Sequence, residues 1–320
     1  MAAGWLAELD GSRVSVEVPA SSANLGAGYD CLGLALAMTN RIEVEVRAWS
    51  RGLIELTVEG EGRDELTDDR DNRFVRGLEA TLRTARGELS EGVGWRITMH
   101  NQIPLARGLG SSAAATVGGI LAGNALAGEA LSMPEMLRIA TEIEGHPDNA
   151  AAALLGGFVV SAGAVDGVEA IRFDAPRDLR AVLFIPDLRL PTGEMRAALP
   201  VSVPLMDAVA NLAAVAIGVA GLATGRYDLL ARLTADRLHE PYRAAVYPQL
   251  PRLVDAAREA GALGACLSGA GSTILAFADS MAGMTRIEAA FLAAAADTDL
   301  PGRVLVVEPR NAGGRVVARA

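Results

Sequence analysis

Polar and apolar residues alternate along residues 13–19, R-V-S-V-E-V-P, and again along residues 42–47, I-E-V-E-V-R. A period of two turns one face of each segment toward a core, so both are expected as strands. Residues 32–37 are apolar, and residues 53–58 are expected to complete a meander with them. A charged loop over 61–73 leads into an expected helix over 72–86, and 95–99 is a further strand candidate. Helices are then expected from Ser112 to about Leu126 and from Pro134 to about Glu144, with Pro134 in a first helical turn. The run G-G-F-V-V at 156–160 reads as turn then strand, and 161–167 reads as a linker. In the second half, strands are expected near 168–173, 180–185, 262–267, 272–277 and 302–308. Helices are expected over 192–199, 203–224, 227–236, 249–260 and 281–295. Strands and helices alternate without a regular βαβ period, which favours α+β over a doubly wound sheet. The linker divides the chain into expected domains 1–162 and 163–320.

The most informative segment lies between the 95–99 strand and the helix after it. Residues Pro104 to Ala115 read P-L-A-R-G-L-G-S-S-A-A-A. A glycine-rich turn that opens a helix presents unpaired backbone N–H groups at the positive end of the helix dipole, which suits phosphate. Gly108 and Gly110 allow close approach of a ligand and φ > 0. Ser111 and Ser112 can cap the helix, donate to phosphate oxygens or hold a divalent cation. The plainer alternative is an ordinary strand–turn–helix joint with a serine cap. A Walker A loop is excluded because the chain has no lysine; its 29 basic residues are all arginine. A nucleophile elbow is excluded because Gly110-Ser111-Ser112-Ala113-Ala114 lacks the second glycine.

Composition narrows the chemistry further. The chain of 320 residues is 51% hydrophobic and 21% charged, a globular profile. Its net charge of −10 argues against a nucleic-acid partner but not against a nucleotide. Cys31 and Cys266 are the only cysteines, which fits a reduced, cytoplasmic protein. The N-terminus has no basic start and no signal-peptide character. The most apolar stretch, 203–222, is interrupted by Asp207 and Asn211 and is expected as a buried helix, not a membrane span. Without lysine there is no Schiff base, and no C-x-x-C or H-E-x-x-H spacing supports zinc.

Four polar groups stand beside glycines or in apolar surroundings. Asn24 and Asp30 lie in the loop after the first strand, either as turn formers or as ligand contacts. Glu142 and Glu144 end a helix just before Gly145-His146-Pro147-Asp148-Asn149. A carboxylate there faces the negative end of the dipole and gains from a cation partner. Arg196 and Arg243 are either surface arginines or a pair suited to a carboxylate or phosphate. The segment L-S-G-A-G-S-T, residues 267–273, is either a tight hairpin or a second glycine loop near the first.

Taken in order, these segments resemble the GHMP kinases. Residues 18–30, V-P-A-S-S-A-N-L-G-A-G-Y-D, residues 104–115 and residues 267–273 carry the likeness and span nearly the whole chain. Within that superfamily the chain resembles the homoserine kinases, through N-L-G-A-G-Y-D-C-L-G, E-G-H-P-D-N-A, P-T-x-E-M-R and E-P-Y-R. The resemblance implies a two-domain α+β fold. The N-terminal domain would resemble ribosomal protein S5 domain 2, and the C-terminal domain would be ferredoxin-like.

The resemblance also implies roles. ATP would lie on Pro104, Arg107 and the loop Gly108, Leu109, Gly110, Ser111, Ser112, Ala113 and Ala114, with Asn72 near the adenine. Ser112 and Glu142 would hold Mg²⁺. Asn24 would meet the substrate hydroxyl and Asp30 its ammonium group. Arg196 and Arg243 would clamp its carboxylate, helped by the Thr192 backbone. His146, Asp148 and Gly269 would line the remaining wall, with Asp148 positioning the substrate. The implied substrate is L-homoserine, because only an amino acid needs an anion and a cation pair together. Phosphoryl transfer demands positioning and charge neutralisation, which this set supplies without lysine. The implied partners are a small molecule and, as the family often forms, a second copy in a homodimer, with no nucleic acid and no membrane. Two alternatives stay open: a GHMP kinase for another small alcohol such as mevalonate, and a non-catalytic ligand-binding member.

Overall fold

The computed structural model describes residues 4–89, 92–164 and 167–320. The first half gives α1 (Gly4–Ala7), β1 (Arg13–Ala23), β2 (Leu32–Arg47), β3 (Ile54–Gly60), α2 (Arg73–Arg86), β4 (Gly94–Asn101), α3 (Ser111–Leu126), α4 (Met133–Glu144), α5 (Asp148–Leu155), β5 (Phe158–Ala164) and β6 (Gly167–Phe173). The second gives β7 (Arg180–Pro186), α6 (Thr192–Ala197), α7 (Leu205–Thr224), α8 (Leu230–Leu233), α9 (Glu240–Arg243), α10 (Leu250–Glu259), β8 (Gly264–Leu267), β9 (Ile274–Ala278), α11 (Met281–Asp297), β10 (Gly302–Val307) and β11 (Arg315–Arg319).

The strands form two sheets. The first has the order β11-β1-β2-β4-β3, with the β5–β6 hairpin branching from β2. Among the described residues, only β3 and β4 pair in parallel in this sheet. The second sheet runs β10-β7-β9-β8, all antiparallel. The alternation in β1 and β2 works as the pattern requires: Val14, Val16, Val18, Ile42, Val44 and Val46 are buried in the main core. Phe74, Leu78 and Leu82 of α2 and Val117 and Ile120 of α3 complete that core. A second core lies between the other sheet and α10 and α11. The α+β class therefore holds, with both sheets assembled from non-adjacent strands.

Several expectations are corrected. The 161–167 linker is strand, apart from Val165 and Asp166, which lie outside the described residues. Ser161 pairs with Ala170 and Phe158 with Phe173, so the hairpin stays on the first sheet and the chain crosses over only after Phe173. Small residues read as linker by composition, but a ladder is made by backbone groups and accepts them. β1 also continues through Ala20 to Ala23 past a register shift at Pro19/Ala20, where a loop was expected. A bulge lets a strand absorb a proline and keep pairing. β11 was not anticipated, because R-V-V-A-R is short and mostly exposed and pairs only with β1. The 227–236 helix shrinks to a 3-10 turn and α8, since the Asp236 carboxylate accepts the N–H groups of Leu238, His239 and Glu240 instead. Finally, α7 is not buried: it is long and apolar enough to cross a membrane, yet Leu205, Met206, Val209 and Leu212 are exposed and only its Asn211–Gly218–Leu222 side faces the protein.

Candidate active site

The glycine-rich turn does open a helix. Gly110 sits at the N-cap of α3 in the left-handed conformation, at φ 69°. A Cβ there would lie 2.0 Å from Ser21 Oγ, so no other residue fits without a shift. The cap is thus Gly110, not a serine, and Ser111 and Ser112 are the first two helical residues. The Ala114 N–H bonds back to Gly110 O at 2.9 Å, which leaves Ser111, Ser112 and Ala113 to present free N–H groups. This removes Ala114 from the candidate set: its N–H is taken, its side chain is buried, and it lines neither of the two cavities beside the loop. The second glycine loop does lie against the first, and it also joins two antiparallel strands, β8 and β9. Ser268 Oγ donates to Gly108 O at 2.6 Å, and Thr273 N donates to Arg107 O at 3.1 Å.

The metal assignment needs a correction. Glu142 is exposed and pairs with Arg138 at 2.6 Å, one turn back on its own helix. Glu144 occupies the place expected of Glu142. Its carboxylate accepts from Ser112 Oγ at 2.9 Å and from Thr116 Oγ1 at 2.6 Å, with Arg73 Nη1 at 3.7 Å. The reason is helical geometry. Residues two apart point about 200° apart, so only one of these glutamates can face α3. Leu137, Ala140 and Glu144 share the inward stripe, at spacings of three and four.

A cavity of about 330 Å³ opens beside this loop. Its wall includes Asn24, Asp30, Pro104, Arg107, Gly108, Leu109, Gly110, Ser111, Ser112, Ala113, His146, Asp148, Thr192, Arg196, Arg243 and Gly269. The fold thus brings together residues from the β1–β2 loop, the α3 entrance, the start of α5, α6, α9 and the β8–β9 loop. A second cavity of about 290 Å³ adjoins it, shares Arg73, Ala106, Ser111 and Ser112, and contains Asn72. The Asn72 side chain itself caps α2 by accepting from Phe74 N at 3.0 Å. Of the expected residues, only Glu142 and Ala114 lie outside both walls.

Opposite charges meet at the far end of the first cavity. Arg196 donates to both carboxylate oxygens of Asp30, at 2.6 and 3.1 Å, and to the Tyr29 hydroxyl at 2.8 Å. Asp30 holds Arg196 firmly protonated by hydrogen bonding. Arg243 is fully buried; it donates to Gly269 O and His239 Nδ1, both at 3.0 Å. Asn24 fixes the loop, accepting from Asp30 N at 3.0 Å and donating to Gly269 O at 2.8 Å. The buried Asp148 accepts from His146 Nδ1 at 2.7 Å, and this bond raises the imidazole pKa. Asp30, His146 and Asp148 place ligand atoms within 4.8 Å of one another, so the wall is acidic between its arginines.

Sequence reasoning missed several contributors. Glu144, named beside Glu142 but passed over for the metal, carried a signal in its stripe. Arg73 and Asn149, which also line the cavity, carried none, since an arginine at a helix start and an asparagine beside an aspartate are ordinary. Tyr29 and His239 lie behind the wall, where only the fold reveals them.

Comparison with known proteins agrees with this geometry. The family model for the GHMP kinases N terminal domain matches residues 72–157, and that for GHMP kinases C terminal matches 219–295. The chain is 42% identical to the homoserine kinase of Caldicellulosiruptor bescii over 83% of its own length and 84% of that protein. It is 40% identical to the homoserine kinase of Moorella thermoacetica over 94% of its length and 99% of that protein. Among solved structures, homoserine kinase from Cytophaga hutchinsonii superposes with a TM-score of 0.84 at 29% identity, covering 95% of this chain and 97% of that one. With sequence and fold in agreement over nearly its whole length, the chain belongs to the GHMP kinases, in the group of the homoserine kinases.

Proposed function

We propose that this enzyme transfers the γ-phosphoryl group of ATP to the side-chain hydroxyl of L-homoserine, giving O-phospho-L-homoserine for threonine biosynthesis. The observation that carries the reading is the Asp30–Arg196 ion pair on the same cavity wall as the phosphate loop. A zwitterionic amino acid can replace both halves of that pair at once. Its ammonium takes Asp30, and its carboxylate takes Arg196 and Arg243. Mevalonate has no ammonium and would leave Asp30 unmatched.

The adenine enters the second cavity near Asn72, and the triphosphate crosses Ser111, Ser112 and Ala113 at the positive end of α3. Gly108 and Gly110 let the turn pack closely on the protein behind it, where a Cβ would lie 2.1 Å from Ser268 O and 2.0 Å from Ser21 Oγ. The Ser112 hydroxyl and Glu144 carboxylate are hard oxygen donors 2.9 Å apart, a set that fits Mg²⁺. Bound there, the ion would neutralise phosphate charge. Asn24 has a second amide hydrogen, beyond the one given to Gly269, for the substrate oxygen. Asp148, held by His146, positions the substrate hydroxyl from the buried floor. A loose transition state requires little early proton removal, so a hydroxyl held in line can attack directly.

The functional halves we propose are an ATP-binding part, 1–162, and a second part, 163–320, although the hairpin and β11 place strands from 163–320 in the first sheet. The enzyme works in the cytoplasm, binding neither nucleic acid nor membrane; the net charge of −10 and two free thiols support this. The proposed assembly is a homodimer, and the exposed apolar residues of α7 offer a second copy a surface. The reading is tested by product analysis: ³¹P resonances of O-phospho-L-homoserine appearing with MgATP and L-homoserine support it, and ATP left intact refutes it.

A further inference from the structure

Two guanidinium groups stand side by side at the proposed carboxylate end, and like charges repel. One side chain touches both. The Tyr29 ring lies 5.6 Å from the Arg196 guanidinium carbon and 5.5 Å from that of Arg243. Its hydroxyl accepts from Arg196 Nη1 at 2.8 Å. Tyr29 is half-buried and absent from the cavity wall, so it braces the arginines from behind. Burial raises the phenol pKa, so the hydroxyl that accepts from Arg196 stays neutral.

The brace has its own support. The His239 ring packs on Tyr29 with centroids 5.3 Å apart. Since an arginine can only donate, His239 Nδ1 accepts from Arg243 and Nε2–H donates to Gly26 O at 2.8 Å. That bond ties the ring to the loop that carries Tyr29. Arg243 Nε also reaches Met195 O, the residue before Arg196. Both arginines are thus referenced to one aromatic ring.

We propose that Tyr29 is a positioning residue that fixes the spacing of the Arg196 and Arg243 guanidinium groups, and so sets selectivity for a substrate carboxylate. The proposal rests on the carboxylate-clamp reading above. Tyr29→Phe removes only the hydroxyl bond; Tyr29→Leu removes the ring as well. The test measures kcat and KM for L-homoserine, for 2-amino-1,4-butanediol, which has CH₂OH in place of the carboxylate, and for ATP.

With Tyr29→Phe, KM for homoserine should rise about fivefold, as expected for one lost hydrogen bond of ordinary net strength while Arg196 keeps both bonds to Asp30. With Tyr29→Leu it should rise about 30-fold, through added loss of two cation–π contacts. KM for ATP and kcat/KM for the butanediol should stay within about twofold, a split that a merely structural role would not produce. A homoserine KM unchanged in Tyr29→Phe overturns the hydroxyl contact even if the leucine variant fails to fold. Equal losses with homoserine and the butanediol overturn the positioning role. Arg196→Ala serves as the separate control. If it leaves homoserine KM unchanged, the clamp itself fails, and the Tyr29 proposal with it. If only the Tyr29 variants are silent, the clamp stands and this inference alone falls.

Discussion

Two residue positions decide between chemistry and surface on helix α4. Glu144 faces Ser112 and Thr116, while Glu142 spends its charge on Arg138 in solvent. Glu144→Gln should lower kcat about 100-fold, the scale of one preorganised electrostatic group, and move the Mg²⁺ requirement to higher concentration. Glu142→Gln should stay within about twofold, because an exposed i,i+4 pair contributes under about 0.5 kcal/mol. An Mg²⁺ titration of both variants checks this; the reverse ranking would restore Glu142. A second residue-scale effect concerns Glu240. Its carboxyl is out of water although part of the residue reaches the surface, and it accepts Leu267 N–H at 2.6 Å. Burial pushes its pKa up to about 8. Between the ordinary value and about 8, the folded protein holds a proton that the unfolded chain has released, so stability falls as pH rises. His239 acts oppositely: burial lowers its pKa to about 4, so it contributes stability that is lost as pH falls below its ordinary range. Between about pH 6.5 and 8.5 His146, whose pKa is raised by its bond to Asp148, adds a fall of the same sign, so the Glu240 share is the difference between wild type and Glu240→Gln. The wild-type melting temperature should fall across that window, and Glu240→Gln should flatten the fall; parallel curves would contradict the assignment.

At the scale of elements, α2 and α3 set the height of the phosphate loop. They meet through glycines: a Cβ on Gly119 would lie 2.0 Å from Phe74 O, and one on Gly77 2.3 Å from Thr116 O. Gly119→Ala should force the helices apart and destabilise by about 1–3 kcal/mol, with ATP KM rising because the N-terminus of α3 moves. Gly163→Ala, whose Cβ meets open space, is the matched control. Chemical denaturation of both variants tests the contact. These elements also show how far the sequence was readable. The α3 entrance was legible because its glycines and serines are local requirements of one turn. The strands 13–19 and 42–47 were legible through their period. β11 was not, since an exposed edge strand shows no burial pattern; the strands near 158–160 and 168–173 were legible, but their joining into one hairpin through 161–164 was not, because small residues there pair only by backbone. The residues that line the two cavities were named wherever one motif carried them. The choice of Glu144 over Glu142 needed the partner helix, and Tyr29 and His239 needed the second half of the chain to arrive.

At the scale of the whole molecule, the two halves share strands. β6 and β11 come from beyond residue 162, yet they border β5 and β1 in the first sheet. A fragment ending at residue 162 should therefore expose two unpaired edges and aggregate, while the full chain should melt in one transition. Circular dichroism and sedimentation of the fragment test this; a soluble, cooperatively folding fragment would contradict it. The same interlock brings Asp30 from one half against Arg196 from the other, and the selectivity proposed above rests on that junction. Its most direct measurement is ADP release from MgATP with L-homoserine, mevalonate, L-serine, L-threonine and shikimate in parallel. Turnover with homoserine far above the others is the expected result. Turnover with mevalonate or shikimate instead, or with none of the five, would contradict the assignment of the Asp30–Arg196–Arg243 wall to an amino-acid substrate.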